Sequence, residues 1–411
     1  MREVKKIKAF KVEQHQINKQ HPLFKVIDDY CFRSKNLYNA ANYVIRQEFI
    51  NNKKYIKYYD MDKMLQKTKE YKELMSQASQ CTLQVLDRCW KSFFVAIKDW
   101  KKNPHKYLGM PKLPKYKKQN GRFTWFLKGN NTYIKDGYLY FRLRVMNGYK
   151  FKTNFQGRYI TTRFVPKGSI YVMEIVYEVE LPDILPESKN IVSIDLGVNN
   201  FVTMTNNIGM RPIIINGRGI KSINQLYNKQ RAKLQSDVMK RNDKYWSNKL
   251  DIITLKRNNK VKNFIHHASH YIVDCCNAYD IDTIVIGLNK EWKQECKMND
   301  KSAQNFIFLP YDLLIKQLEY KCQENQINLI ITEENYTSGT SFLDNEEPIK
   351  KNYNKKRRIK RGLFKSNKGI IINSDVNGSL QIMKKVFPNV NSDGIKGCLT
   401  PKVINVVKFA M

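Results

Sequence analysis

The chain lacks the cysteine patterns that mark zinc ribbons and secreted disulfide frameworks. It contains eight cysteines, at positions 31, 81, 89, 275, 276, 296, 322 and 398, and no two are spaced as C-x-x-C. That spacing is typical of zinc-binding pairs, and regular cysteine frameworks are typical of small secreted domains. We therefore expect reduced thiols, mostly buried, and no bound zinc.

Long apolar segments are also missing. No run approaches the roughly 20 apolar residues that a membrane-spanning helix needs. The N-terminal sequence MREVKKIKAFKVEQ has no apolar stretch of the kind found in signal peptides. These absences predict a soluble, intracellular protein without a membrane partner.

Acidic residues are scarce relative to basic ones. The 411 residues include 73 Lys and Arg against 37 Asp and Glu, which gives a formal net charge of +36. Such a charge favours a polyanionic partner. The 24 tyrosines are interleaved with lysines in stretches such as NKKYIKYYDMDK, residues 52–63, and aromatic rings beside cations suit exposed bases and phosphates. Nucleic acid is therefore the expected partner.

Three different sequence patterns follow one another along the chain. Residues 22–102 place apolar residues at three- and four-residue spacings, without internal Gly or Pro, and this predicts a helical module. From residue 103, short alternating runs such as GYLYFRLRV and SIYVMEIVYEVEL predict a small barrel or sandwich. The opening run VKKIKAFKV is expected to join it, which makes the helical module an insertion.

The third sequence pattern begins at residue 190. NIVSIDLGVNNFVTMTNNIGMRPIIING predicts three strands in hairpins, and helical and strand patterns then alternate through 219–280, 282–287, 309–325 and 327–334. INSDVNGSLQIMKKVF, residues 372–387, begins like a capped helix. A three-strand meander followed by alternating helices and strands is the order of an RNase H-like fold. The predicted fold class is therefore multi-domain α+β with an RNase H-like nuclease domain.

Carboxylates stand at the ends of these predicted core elements. Asp195 ends the strand IVSID, Glu333 and Glu334 end INLIITEE, and Asp375 falls in the first turn of the last helix. Converging carboxylates can hold two divalent ions about 4 Å apart for phosphodiester hydrolysis. Oxygen ligands favour Mg²⁺, or Mn²⁺, over zinc. Asp195 would bridge the ions, with Glu334 and Asp375 as outer ligands. As alternatives, Asp195 can be a turn former and Asp375 a helix cap.

Three segments resemble the RuvC motifs of TnpB, a transposon-encoded family ancestral to type V CRISPR effectors. They are SIDLGVNN (193–200), TEENYTSGTSFLD (332–344) and INSDVNGSLQI (372–382). The resemblance implies an RNA-guided DNA endonuclease with a guide RNA and target DNA as partners, Mg²⁺ as the cofactor, and one RuvC site that cuts both strands. It also implies the bacterial cytoplasm, close to the nucleoid.

The resemblance also divides the chain into expected domains. Residues 1–21 and 105–186 would form a wedge β-barrel, and residues 22–104 a helical recognition domain. Residues 187–335 and 371–395 would form the RuvC nuclease. Residues 336–370 would be a target-nucleic-acid-binding insertion without zinc-ribbon cysteines, and residues 396–411 a C-terminal tail.

Two departures from the TnpB pattern matter. Many members carry paired C-x-x-C motifs after YTS, whereas SGTSFLDNEEP contains no Cys. TnpB usually places its catalytic glutamate at the end of the strand matching DTIVIG, where this chain has Gly287. Either the enzyme is inactive or the carboxylate has moved. We favour Glu334 over Glu333 as the relocated ligand, because ENYTS resembles the E-x-x-T-S of relatives with a moved glutamate.

The remaining alternatives concern function and nucleic-acid contacts. A nuclease-dead RNA-guided repressor, a compact type V CRISPR effector and a guide-independent RNA-binding protein all stay open. Two sets of residues are expected at nucleic acid: Gln80, Gln84 and Lys91 at the motif beside the target, and Arg357, Arg358 and Arg361 along the guide–target channel. The arginines belong to KKNYNKKRRIKRGLFKSNK (350–368), with ten Lys or Arg. Alternatively, this cluster is a loop that only RNA orders.

Overall fold

The structure, a computed structural model, describes residues 6–183, 188–289, 308–360, 362–390 and 400–407. It divides into two compact units, one of Lys8–Glu180 and the other of Met1–Ile7 with Leu181–Met411. None of the helices in the described ranges is long and apolar enough to cross a membrane.

The first unit combines helices with two antiparallel sheets. Its helices are α1 (Phe24–Asn52), α2 (Tyr58–Leu65), α3 (Lys69–Lys72) and α4 (Ser76–Lys102), with short 3₁₀ turns at Pro104–Lys106 and Arg144–Met146. Its strands are β1 (Lys6–Ile17), β2 (Trp125–Leu127), β3 (Thr132–Lys135), β4 (Tyr138–Phe141), β5 (Lys150–Lys152), β6 (Arg158–Lys167) and β7 (Ile170–Pro182). The sheet orders are β1-β7-β6-β2 and β3-β4-β5.

Helices and strands of this unit share one apolar core. Trp90 of α4, Trp125 of β2 and Phe164 of β6 are all fully buried within it. The rings of Trp125 and Phe164 stack with centroids 5.2 Å apart, and Tyr30 of α1 stacks on Trp125 at 4.3 Å. The opening strand joins the four-stranded sheet as the sequence predicts, so the four helices lie between two strands of that sheet in chain order.

The second unit is built on a mixed sheet. Its strands are β8 (Ile191–Leu196), β9 (Asn200–Asn206), β10 (Ile213–Asn216), β11 (Thr283–Gly287), β12 (Asn328–Thr332), β13 (Leu363–Lys365), β14 (Ile371–Asn373) and β15 (Lys402–Ile404). Its helices are α5 (Arg218–Asn242), α6 (Asn248–Ala278), α7 (Tyr311–Glu324) and α8 (Ser374–Val386), with 3₁₀ turns at Lys350–Asn352 and Lys355–Arg357.

The order of the six-stranded sheet is β12-β11-β8-β9-β10-β15. β8, β9 and β10 form an antiparallel meander, and β11 and β12 run parallel to β8. β8 and β11 are almost entirely buried apolar runs, as expected of strands covered on both faces. The predicted order of a meander followed by alternating helices and strands is confirmed, and the carboxyl ends of β8, β11 and β12 meet at one sheet edge.

Helix α8 lies across this sheet and is fixed to it by hydroxyl groups. Ser193 Oγ on β8 donates to the Ser379 carbonyl at 2.7 Å, and Ser379 Oγ donates back to the Ser193 carbonyl at 2.9 Å. Both serines are fully buried. Buried hydroxyls paired in this way are costly to separate, so the position of α8 relative to the end of β8 is well defined.

Candidate active site

Asp195 occupies the end of β8 and faces α8. A β-carbon added to Gly378 of α8 would lie only 2.9 Å from Asp195 Oδ2. Next to Asp195 the chain turns through Gly197, whose carbonyl accepts a 2.8 Å hydrogen bond from the Tyr311 hydroxyl. The absence of a side chain at Gly378 therefore lets the helix approach while the carboxylate remains unobstructed.

Asp375 lies in the first turn of α8 but does not cap it. Asn373 is the cap, since its Oδ1 accepts from the backbone N–H groups of Asp375 and Val376 at 2.9 and 3.2 Å. The Asp375 carboxylate instead accepts a 2.7 Å hydrogen bond from Asn200 Nδ2 and lies 3.6 Å from Arg358 Nη2. The alternative in which Asp375 serves as the helix cap is therefore wrong.

Glu334 follows β12 and is paired with Asn289, which follows β11. The Asn289 amide donates to Glu334 Oε1 at 3.2 Å, and its Oδ1 accepts from the Glu334 backbone N–H at 3.1 Å. A β-carbon on Gly287 would lie 3.2 Å from Glu334 Cβ and would overlap Ile382. Glu333 is exposed and accepts a long 3.4 Å hydrogen bond from Asn335.

These three acids line one open cavity of about 700 Å³. Its other polar lining includes Asn200, Asn289 and Arg358, whereas Glu333 is not part of it. Across the described ranges, no group of three His, Cys, Asp or Glu side chains is close enough to hold one metal ion. The carboxylates therefore surround a shared space without forming a three-ligand cluster on a single point.

Burial disfavours the charged forms of Asp195 and Glu334, and at Asp195 repulsion by neighbouring carboxylates adds to it. Burial raises the pKa of Asp195 well above its usual range, and the charges of Glu334 and Asp375 add to this effect, while Arg358 opposes it. Burial also raises the pKa of Glu334, against an opposing effect of Lys385. Carboxylates held close together in this way gain from a cation that neutralises them. An all-oxygen donor set of carboxylates and amides fits a hard divalent cation.

The predicted arginines have different surroundings. Arg357 forms a bidentate ion pair with Glu346 and also donates to Asn367 Oδ1 at 2.8 Å. Arg358 is partly exposed and points into the acidic cavity. Arg361 lies outside the described residues.

The three candidates on α4 lie beside residues of their own unit. Gln80 lies near the Tyr71 hydroxyl and Gln84 near the Tyr58 hydroxyl. The Lys91 ammonium lies 2.8 Å from Asp87 Oδ2 and remains 63% exposed. Their assignment to base or phosphate contacts stays a prediction.

Sequence reasoning missed several residues of the site. Asn200 begins β9, Asn289 and Tyr353 lie outside helices and strands, and no periodic pattern marks any of the three. Gly378 carries a detectable signal, because a glycine inside a helix costs about 1 kcal/mol relative to alanine and so calls for a packing reason.

Two family profiles match separate parts of the chain. A family profile described as a probable transposase of the OrfB_IS605 type matches residues 174–293, and one described as a Cas12f1-like TNB domain matches 311–382. The TnpB-like protein ORF457 of Acidianus two-tailed virus is 24% identical over 399 residues, covering 86% of this chain and 81% of that protein. The chain is related to TnpB. These matches confirm the resemblance seen in the three motifs.

Solved structures with partial similarity include a Cas12f1–sgRNA–target DNA complex and a mini-RNA-guided endonuclease, CRISPR-Cas_phi3. The first is 15% identical with a TM-score of 0.37, covering 90% of this chain and 98% of that one. The second is 10% identical with a TM-score of 0.49, covering 96% and 93%.

Proposed function

We propose that this TnpB-related chain is an RNA-guided DNA endonuclease with a single RuvC site of RNase H-like fold. One observation carries the proposal. Asp195, Glu334 and Asp375 come from three separate elements of the chain, and all three line the same polar cavity. Three acids gathered from β8, the end of β12 and the start of α8 have no evident structural role that would require their proximity.

The proposed cofactor is a pair of Mg²⁺ ions, with Mn²⁺ as a possible substitute. When bound, such ions supply an activated water and stabilise the leaving oxygen in phosphodiester hydrolysis. Asp195 would be shared between the two ions, with Glu334 and Asp375 each completing one side. Two protein carboxylates per ion, with water and phosphate oxygens filling the remaining positions, is typical of magnesium.

The neighbouring amides would orient the carboxylates for metal binding, and Arg358 would contact the substrate. Asn200 donates to Asp375 Oδ2 and Asn289 donates to Glu334 Oε1, which fixes the orientation of each carboxylate. Arg358, 3.6 Å from Asp375 and 44% exposed, brings a positive charge to an otherwise acidic cavity. It is suited to hold a phosphate oxygen of the cleaved strand by a charge-assisted hydrogen bond.

The partners proposed are a structured guide RNA and its DNA target. The net charge of +36 supports a polyanionic ligand. The proposed division of labour is the one implied by the resemblance: a recognition domain at 22–104, a wedge barrel at 1–21 and 105–186, and a target-binding insertion at 336–370. Within the recognition domain, Gln80, Gln84 and Lys91 would contact the DNA motif beside the target.

The first experiment is to sequence RNA that co-purifies with the full chain and to test cleavage of matching DNA. We expect cutting with Mg²⁺, none with EDTA, and none for Asp195→Asn. Protein that purifies free of nucleic acid and binds guide candidates no better than random RNA would refute the guided mechanism. Wild-type protein that binds guided DNA without cutting it would instead support a nuclease-dead repressor.

A further inference from the structure

Two tyrosines stand at the rim of the acidic cavity. Tyr336 and Tyr353 both line it, and their side chains remain 40% and 39% exposed. Their rings meet edge to face, with centroids 6.0 Å apart and planes at 71°. The pair therefore presents aromatic surface to solvent at the entrance of a cavity whose other walls are mainly polar.

The backbone holds Tyr336 in an unusual conformation. Its φ of +68° falls in the left-handed region, which is uncommon for a bulky residue. The Tyr336 carbonyl accepts a 2.9 Å hydrogen bond from Thr340 Oγ1, and the Thr340 carbonyl accepts a 2.8 Å bond from Asn377 on α8. Strain maintained by surrounding contacts is a feature of ligand-binding positions.

The ring of Tyr353 packs closely against Gly339. A β-carbon on Gly339 would lie 2.5 Å from its Cε2 atom, so only glycine leaves room for the ring. The backbone N–H of the next residue, Asn354, donates to the Gly339 carbonyl at 3.0 Å. Both rings are therefore fixed to the same short loop.

That loop begins at the proposed metal ligand. Thr337 donates to the Glu334 carbonyl through its hydroxyl at 2.8 Å and through its backbone N–H at 3.3 Å. The loop that carries Tyr336 is thus anchored to the backbone of Glu334. Arg358 lines the same cavity and brings a cation to it.

We propose that the Tyr336–Tyr353 pair stacks on a nucleobase next to the scissile phosphate. The inference rests on the proposed nuclease function. Stacking on an aromatic platform needs a free base face, which a base inside a duplex does not offer. With the base on the rings and its phosphate beside Arg358, the strand is positioned across the three carboxylates.

The test combines changes in the protein with changes in the DNA. A series of guided DNA targets is prepared, each with one abasic site at a different position around the cut. The cleavage rate of every target is measured with wild type and with the double variant Tyr336→Ala, Tyr353→Ala. We expect one flanking abasic site to slow wild type about tenfold, the usual scale for losing one stacked base. The double variant should be slow on intact DNA and not slowed further by that abasic site.

Two controls identify the aromatic ring as the cause. The double Tyr→Phe variant, which keeps both rings, should retain the wild-type response to the abasic site. Tyr279→Ala, at an exposed tyrosine that does not line the cavity, should cleave like wild type. An abasic site that slows wild type and the double Ala variant equally, or that slows neither, overturns the proposal.

A second measurement does not depend on cleavage. Full-length protein is titrated with a short single-stranded DNA containing 2-aminopurine, whose fluorescence is quenched by stacking. Quenching that is lost in the double Ala variant and kept in the double Phe variant supports the tyrosine platform, even if wild type never cuts and the nuclease proposal fails. Equal quenching by all variants overturns the platform, even if guided cleavage is normal.

Discussion

A β-carbon on Gly287 would stand 3.2 Å from the β-carbon of Glu334. Gly287 ends β11 in register with Thr332 of β12, two residues before Glu334. β11 separates β12 from β8, and neighbouring strands are about 4.8 Å apart, so Glu334 begins about 10 Å from the strand of Asp195. The bare backbone at Gly287 leaves the space through which Glu334 reaches the cavity.

The closeness of Gly378 to Asp195 predicts a selective loss of cleavage. Gly378→Ala would place a methyl group 2.9 Å from Asp195 Oδ2, while alanine favours the helix by about 1 kcal/mol. We expect the free energy of unfolding to change by less than about 1 kcal/mol, and cleavage to fall about 100-fold, as for a small displacement of a reacting group. Urea unfolding and guided-cleavage rates measure the two effects.

Gly129→Ala is the matched control, because no atom lies within 4 Å of its added β-carbon. It should cleave like wild type. Normal cleavage by Gly378→Ala would show that Asp195 has freedom to move away, or that its position is unimportant.

The ion pair of Arg357 and Glu346 predicts a pH-dependent contribution to stability. Burial alone would raise the pKa of Glu346, but hydrogen bonds from Arg357 and Ser341 and the charge of Arg357 lower it below its usual value. A lowered carboxyl pKa stabilises the fold above the unfolded value of about 4.3, and this stabilisation is lost as the pH falls through the lowered pKa. Arg357→Met should cost about 2 kcal/mol at pH 7 and progressively less below pH about 4.

Urea unfolding of Arg357→Met and wild type between pH 7 and pH 3 measures this difference. Lys356→Met, at the exposed neighbouring position, should unfold like wild type throughout. A stability difference for Arg357→Met that stays constant over the whole range would contradict the assignment to Glu346.

The cysteine-free insertion predicts protein without stoichiometric zinc. Residues 336–370 contain no Cys, and Asn367 bridges two acids, donating from its backbone N–H to Asp344 at 2.7 Å and from its amide to Glu346 at 3.2 Å. We expect elemental analysis of EDTA-dialysed protein to find far less than one zinc per chain. One tightly held zinc per chain would assign ligand roles to the scattered cysteines.

The sequence predicted those parts of the site that follow from strand and helix patterns. Apolar runs ending in Asp195 and Glu334 indicated where two parallel strands deliver carboxylates. The structure places Glu334, and not Glu333, in the cavity, and the role of Glu334 as the relocated ligand stays a prediction. The partners of these acids were not predictable. Asn200 begins β9 and Asn289 follows β11, and which acid each side chain meets depends on long-range packing. The cap of α8 was ambiguous in Asn373-Ser374-Asp375, three residues that can all cap helices.

The central claim is that Glu334 supplies the carboxylate that TnpB relatives usually carry at the position of Gly287. Its most direct test compares Glu334→Ala with Glu333→Ala in guided DNA cleavage with Mg²⁺, alongside guided DNA binding. We predict that Glu334→Ala, like Asp195→Ala and Asp375→Ala, abolishes cleavage and still binds, because only ligands to the ions are lost. Glu333→Ala, at the exposed neighbour outside the cavity, should keep substantial cleavage. Cleavage by Glu334→Ala together with its loss in Glu333→Ala would contradict the account.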